Sequence, residues 1–224
     1  MTLDTDATVA ELQLGSGNAL DFDSGEALAV AGTQIINAGN IALSSGTLRL
    51  ENNVTLSGTG TLTLSGTANI NTNSGGTWTL TNQSTIQGAG TIGQFGVPLV
   101  NQGTINADSS GNTLTLLGGD EVTNTTGTFE AANNGTLLVQ NPFANYSGGT
   151  LAGGSYIANA FNGVTQGTAT TPINAFGTAP GGGERVARAP AFGLRDSSQV
   201  AHTSRRLLSG CVRPRRGIIF ACQS

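Results

Sequence analysis

Apolar side chains recur at every second position in short bursts along the chain. The bursts begin Leu12/Leu14, Leu20/Phe22, Leu28/Val30, Ile35, Ile41/Leu43 and Leu48/Leu50. They continue through Val54/Leu56, Leu62/Leu64, Ile70, Trp78/Leu80, Ile86 and Ile92. They end with Leu99, Ile105, Leu114/Leu116, Val122, Phe129, Leu137/Val139, Phe143, Leu151 and Tyr156. Apolar residues at i and i+2 mark half-buried strands, because successive side chains of a strand point to opposite faces. The gaps hold Ser-Gly, Asn-Asn, Gly-Thr-Gly, Asn-Gln-Ser or Asn-Asn-Gly, residue types that close tight bends. Successive strands start about six to nine residues apart.

Taken in threes, the strands give a repeat. Coil starts fall near Leu12, Ile35, Val54, Trp78, Leu99, Val122 and Phe143, a period near 22 residues. Three short strands and three bends per repeat predict an all-β, right-handed parallel β-helix (solenoid) of about seven coils. The alternative architecture is an antiparallel β-sandwich, which also has regularly spaced strands and turns. Against it, the spacing is short and plain hairpin dipeptides are few, Asn134-Gly135 and Asn162-Gly163 among them.

Composition supports the β reading. The chain has 224 residues, 34 of them Gly, with only 10% charged and 5% aromatic side chains. Soluble domains carry about 25% charged residues. No lysine occurs. Through Phe176, Arg49 faces eleven acidic residues, a net charge of −10; beyond it, eight arginines face Glu184 and Asp196, a net of +6. An acidic body is unsuited to nucleic-acid phosphates. No run approaches the roughly 18 apolar residues of a membrane-spanning helix. The opening MTLDTDATVAELQLG has neither the basic nor the apolar region of a signal peptide.

The repeats resemble a known group. VTLSGTGTLTLSG (54–66), LVNQGTINADSSGNTLTL (99–116), VTNTTGTFEAANNGTLLVQ (122–140) and FANYSGGTLAGGSYIANA (143–160) are similar to the strand repeats of large secreted bacterial surface proteins. Those include autotransporter passengers and filamentous-haemagglutinin-like adhesins. The resemblance implies a solenoid fold, display outside the cell or on its surface, and a structural or adhesive role. The implied partners are host-surface or matrix glycans or proteins. The chain departs from the group in lacking a leader and a C-terminal membrane barrel, so a fragment of a longer protein is expected.

The pattern stops near Phe176. The remainder is rich in Arg, Ala, Pro and Gly, lacks Asn, and holds both Cys (Cys211, Cys222) and the one His (His202). Two segments are therefore expected: a repeat domain over 1–176 and an Arg-rich tail over 177–224, disordered or translated out of frame. A basic interaction tail, centred on RRLLSGCVRPRR, is the other reading of the second segment.

Candidate chemistry is sparse. Catalysis needs an acid, base or nucleophile with a tuned partner. The repeat domain has no His, Lys or Cys, which removes a catalytic triad and a zinc site of His and Cys. Carboxylate pairs remain at Asp4/Asp6, Asp21/Asp23 and Asp120-Glu121, but nothing in their spacing sets two carboxyls across one sugar linkage. A non-catalytic chain without cofactor or metal is expected; the competing function is a polysaccharide-active β-helix enzyme. DFDSGE (21–26) departs from a hand-type calcium loop at its fifth and sixth positions.

Four further patterns have bland and specific readings. Thr-x-Thr at 61–63, 77–79 and 113–115 could form an outward threonine rank, but these segments are expected on different sides of the coil. Asn52, Asn53, Asn73, Asn82, Asn101, Asn124, Asn133 and Asn134 sit in bends, where Asn tolerates left-handed turns or stacks its amide between coils. Asn-x-Ser/Thr at Asn53, Asn82, Asn124, Asn134 and Asn145 is read as chance. Trp78, Phe129, Phe143 and Tyr146 are candidates for a sugar-stacking patch or for core and end-cap residues. Open solenoid ends would also present unpaired strands, so self-association is a third possible role.

Overall fold

A computed structural model describes residues 1–22, 25–73, 76–117, 121–147, 150–159, 175–177 and 184–188. The chain winds as a β-solenoid whose turns lay their strands in three sheets. The first sheet stacks Thr2–Leu3, Ala19–Phe22, Asn40–Ser44, Thr61–Ser65, Thr85–Gly88, Thr104–Ala107, Thr128–Ala131 and Ser155–Asn159. The second stacks Ala7–Val9, Ala27–Val30, Thr47–Leu50, Asn69–Thr72, Gly90–Gln94, Thr113–Leu116 and Thr136–Val139. The third stacks Leu12–Leu14, Gln34–Asn37, Val54–Ser57, Leu80–Asn82, Leu99–Asn101 and Val122–Thr123. Every pairing within these three stacks is parallel. This excludes the sandwich.

The expected grouping holds from Leu12 through Val139 and fails in the last coil, where Leu151 joins an antiparallel pair with Tyr146 and Tyr156 takes the first-sheet place expected of Leu151. Leu12, Ile35, Val54, Leu99 and Val122 all lie in the third sheet, and Phe143 reaches it through one bridge to Val122. The coil placed at Trp78 starts at Leu80. There are about six turns rather than seven, because the seventh keeps only that bridge on its third side. At 4.8 Å per strand, the eight strands of the first sheet span about 34 Å.

The core follows from alternation. Leu20, Ile41, Leu62, Ile86, Ile105, Phe129 and Tyr156 are register partners in the first sheet and point inward, each 3% exposed or less. Leu28, Leu48, Ile70, Ile92, Leu116 and Val139 do the same in the second. Close backbone stacking at the corners requires glycine at particular places. At Gly58, φ is +104°, and a Cβ there would run into the carbonyl oxygen of Asn37. A side chain at this corner would therefore force adjacent coils apart.

Four described strands differ from the parallel stack. Tyr146–Ser147 and Thr150–Leu151 pair antiparallel with each other in a small sheet of their own. Ala175–Gly177 pairs antiparallel with Thr136–Val139, and Glu184–Arg188 pairs antiparallel with Ser155–Asn159. Ala175–Gly177 straddles the boundary expected at residue 176, and Glu184–Arg188 falls within the expected tail. Residues 178–183 and 189–224, including His202, Cys211 and Cys222, lie outside the described residues. No helix among the described residues is long and apolar enough to cross a membrane.

Candidate functional site

Most polar side chains among the described residues occupy two kinds of place, inside the corner between the third and first sheets and on the outward faces; Thr72, buried at the end of a second-sheet strand, is an exception. The corner fixes the spacing of the coils. Asn82, Asn101 and Asn124 fall at inward-pointing positions where an earlier coil has Leu56, and all three are fully buried. Asn82 Nδ2 donates to Asn101 Oδ1 at 2.9 Å, and Asn101 Nδ2 to Asn124 Oδ1 at 2.9 Å. Each amide also caps the next coil, donating to the carbonyl of Thr104, Thr128 or Ser155. The Ser84 amide closes the bend by donating to Asn82 Oδ1 at 3.1 Å. Asn37 repeats that pattern alone, giving Nδ2 to the Thr61 carbonyl and accepting from the Gly39 amide. The expected amide ladder is therefore present in three of the eight bend asparagines. Of the rest, Asn133 and Asn134 hold left-handed φ of 50° and 64°, the other expected role.

The ladder ends at Asn145, whose Oδ1 accepts from the Asn124 amide and whose Nδ2 donates to the Asn124 carbonyl and the Tyr156 hydroxyl. Tyr156 donates in turn to the Asn124 carbonyl at 3.4 Å. Burial raises the Tyr156 hydroxyl pKa above its ordinary value, and the bonds with Asn145 and Asn124 pull partly the other way. The folded chain thus holds this proton more tightly than the unfolded chain does. Its contribution is complete below about pH 10 and is lost as pH rises through the raised value. Melting temperature is expected to fall above about pH 10 more steeply in the native chain than in Tyr156→Phe. Equal slopes for the two proteins would refute the assignment.

Among the described residues the candidate carboxylates form no cluster of three. Asp4, Asp6 and Asp21 are exposed, and Asp6 Oδ1 accepts the backbone amide of Ala27 at 2.8 Å. Phe22 is buried, which sends Asp21 outward as expected; Asp23 and Asp120 lie outside the described residues. Among the described residues no three His, Cys, Asp or Glu side chains are placed to hold a metal ion. Arg49 on the second sheet pairs with Glu51 at 3.3 Å. For a half-buried surface pair this is worth about 1 kcal/mol at most.

The Thr-x-Thr segments lie on different sides, as expected. Thr61/Thr63 is in the first sheet, Thr113/Thr115 in the second, and Thr77/Thr79 precedes the third. The structure reveals a rank that local spacing hides. Asn40, Thr61, Thr85, Thr104, Thr128 and Ser155 are successive register partners on the outward face of the first sheet. They come from six coils and repeat at about 4.8 Å.

The aromatic candidates are core and end-cap residues. Phe129 and Phe143 are buried, and Trp78 and Tyr146 pack against the core half-buried. Among the described residues the exposed aromatic is a different one, which no sequence pattern singles out. Phe95 is 64% exposed and has φ of +63°. It lies just after a bulge: Ile70 pairs with Ile92 but Asn71 with Gln94, leaving Gly93 extra. Left-handed backbone costs a bulky L-residue about 1–2 kcal/mol, and Gly would relieve it. A groove of about 360 Å³ runs along the outward face of the second sheet, lined by Asn69, Thr91, Gln94, Asn112, Thr113 and Thr115 with small residues between them; Phe95 is not in the lining but follows its Gln94 in the chain. No lining side chain is ionisable.

No protein-family model, curated protein or solved structure matches the chain.

Proposed function

We propose that the chain is a non-catalytic structural and adhesive segment of a secreted or surface-displayed bacterial protein. It acts as a rod that projects from the cell and makes repeated weak contacts with host-surface or matrix glycans or proteins. One observation carries this reading: the outward rank Asn40, Thr61, Thr85, Thr104, Thr128, Ser155, six neutral hydroxyl or amide groups held in line on a rigid stack. Groups at fixed spacing let individually weak contacts add without further ordering cost. The resemblance of the repeats to adhesin repeats points the same way.

The test is adhesion of the immobilised chain 1–224 to matrix-coated and glycan-coated surfaces, with albumin as control. Saturable adhesion that changes little with salt is expected, because neutral groups carry the contact. Adhesion no better than to albumin would overturn the reading. So would release of new reducing ends from a supplied polysaccharide, which would favour the enzymatic alternative.

A further inference from the structure

We propose that the groove on the second sheet, with Phe95 as its stacking platform, binds a neutral oligosaccharide. The inference rests on the reading of the rod as a contact surface and gives that surface a site. Four observations meet here.

The lining offers amides and hydroxyls with no charge, from Asn69, Thr91, Gln94, Asn112, Thr113 and Thr115. Amides and hydroxyls both donate and accept, as sugar hydroxyls do. Phosphate, sulfate or a carboxylated sugar would meet no cation there.

Part of this hydrogen-bonding capacity is unused. Asn69 is engaged, taking a bond from Asn71 Nδ2 at 2.8 Å and giving one to Thr47 Oγ1 at 3.1 Å. The Gln94 amide and the Thr91 and Thr115 hydroxyls make no hydrogen bond among the described residues. Asn69, Thr91 and Thr115 are register partners across three coils, so the groove crosses the strands. It also runs along the strand to Gln94, about 13 Å from the strand's start. That is room for a short oligosaccharide rather than a single ring.

Phe95 immediately follows Gln94 and stands 64% exposed. The ring is tethered one residue from the lining, and a flat apolar ring at the edge of neutral polar groups is what a sugar's apolar ring face and polar rim require.

Finally, Phe95 is the wrong residue for its own backbone. The bend uses glycine on both sides, Gly93 at φ +101° and Gly96 at φ +94°. Between them a ring is held left-handed while packing little of itself against the core. A local rule broken without a gain in packing marks a residue kept for contact.

The probes are maltotetraose, cellotetraose and tetra-N-acetylchitotetraose, titrated into the chain 1–224 by calorimetry and by ligand-observed NMR. At least one is expected to bind saturably with a dissociation constant near 1 mM. Phe95→Gly should weaken that binding about tenfold while raising the melting temperature, and Phe95→Trp should retain it. Gln94→Ala should weaken it several-fold without moving the melting temperature. The rise in Phe95→Gly separates a lost platform from a damaged fold. The proposal is overturned if none of the three binds saturably below about 10 mM. It is overturned equally if Phe95→Gly binds as the native chain does. Undiminished adhesion of Phe95→Gly to coated surfaces, together with absent tetramer binding, would remove the groove and leave the adhesive rod standing. Tetramer binding without adhesion would do the reverse. Capture of a protein by Phe95 with no tetramer bound would count against the sugar site.

Discussion

Asn101→Ala is expected to be among the most damaging single substitutions in the rod, although it removes only a small polar side chain. Asn101 accepts from Asn82 and donates to both Asn124 Oδ1 and the Thr128 carbonyl, all inside a corner closed to solvent. Its loss strands Asn124 Oδ1 and the Thr128 carbonyl without that donor and leaves Asn82 Nδ2 with only its 3.3 Å bond to Thr104. An orphaned buried polar group costs about 1–3 kcal/mol, so a total of about 3–5 kcal/mol is expected. For a body of this size that is a fall in melting temperature on the order of 10 °C. The amides also run head to tail along the rod, which polarises each by the next.

The matched control is Gln83→Ala. Gln83 Nε2 donates to Gln102 Oε1 at 2.9 Å across the same two coils, but in the open. Water replaces that bond, and a change within about 0.5 kcal/mol is expected. Comparable losses in the two variants, read by thermal melts, would show that the corner is not the place where the coils are keyed. Asn101→Asp sharpens the point. It keeps the shape but sets an anion against Asn124 Oδ1 and the Thr128 carbonyl, two acceptors. The folded-state carboxyl would bind its proton more tightly than the unfolded one, so this variant should recover stability as pH falls.

Alternation placed the strands because a solenoid coil has one inside, and its aliphatic residues must point there. The third-sheet residues Leu12, Ile35, Val54, Leu99 and Val122 were legible for that reason. Trp78 misled by two residues, since it packs half-buried in the bend before Leu80. Thr2–Leu3 and Ala7–Val9 were missed because their few apolar residues make no i, i+2 pair of large side chains. The ladder was only half legible. Asn82, Asn101 and Asn124 looked like Asn52 or Asn53, because a buried and an exposed bend share a composition. Their distinguishing mark is the stretch C-terminal to each: Asn-Gln-Ser-Thr-Ile at 82, Asn-Gln-Gly-Thr-Ile at 101 and Asn-Thr-Thr-Gly-Thr-Phe at 124 all lead into the first sheet. Asn37 precedes Ala-Gly-Asn-Ile in the same way and carries the same signal.

Candidate contacts were less legible, for a physical reason. The rank from Asn40 to Ser155 is spread over more than a hundred residues and becomes a line only when coils stack in register. The groove likewise draws Asn69, Thr91 and Thr115 from three coils. Phe95 was hidden differently. Its neighbours Gly93, Gly96 and Pro98 read as an ordinary loop, and neither its left-handed backbone nor its exposure can be deduced from residue type.

Phe129→Ala is expected to be as costly as Asn101→Ala but to fail differently. In the first sheet the inward column is aliphatic from Leu20 to Ile105 and turns aromatic at Phe129 and Tyr156. Phe143 joins from the third side, and the three ring centroids lie 5.8–6.0 Å apart in tilted and edge-to-face arrangements. These rings fill the coil where the third sheet shrinks to the single bridge at Phe143, so bulk replaces a missing strand. Removing the central ring should cost about 3–5 kcal/mol through lost burial and the cavity left behind. Phe129→Leu, which refills much of the space, should cost less than half of that. In a solenoid each coil contacts only its neighbours, so damage near one end need not cross the rod. Amide hydrogen exchange is therefore expected to quicken in Thr128–Ala131, Thr136–Val139 and Ser155–Asn159, while Asn40–Ser44 and Thr61–Ser65 stay protected. In Asn101→Ala, by contrast, protection should weaken on both sides of the corner. Uniform loss of protection along the whole chain in Phe129→Ala would mean that the stack unfolds as one unit, with coupling between coils stronger than the nearest-neighbour picture allows.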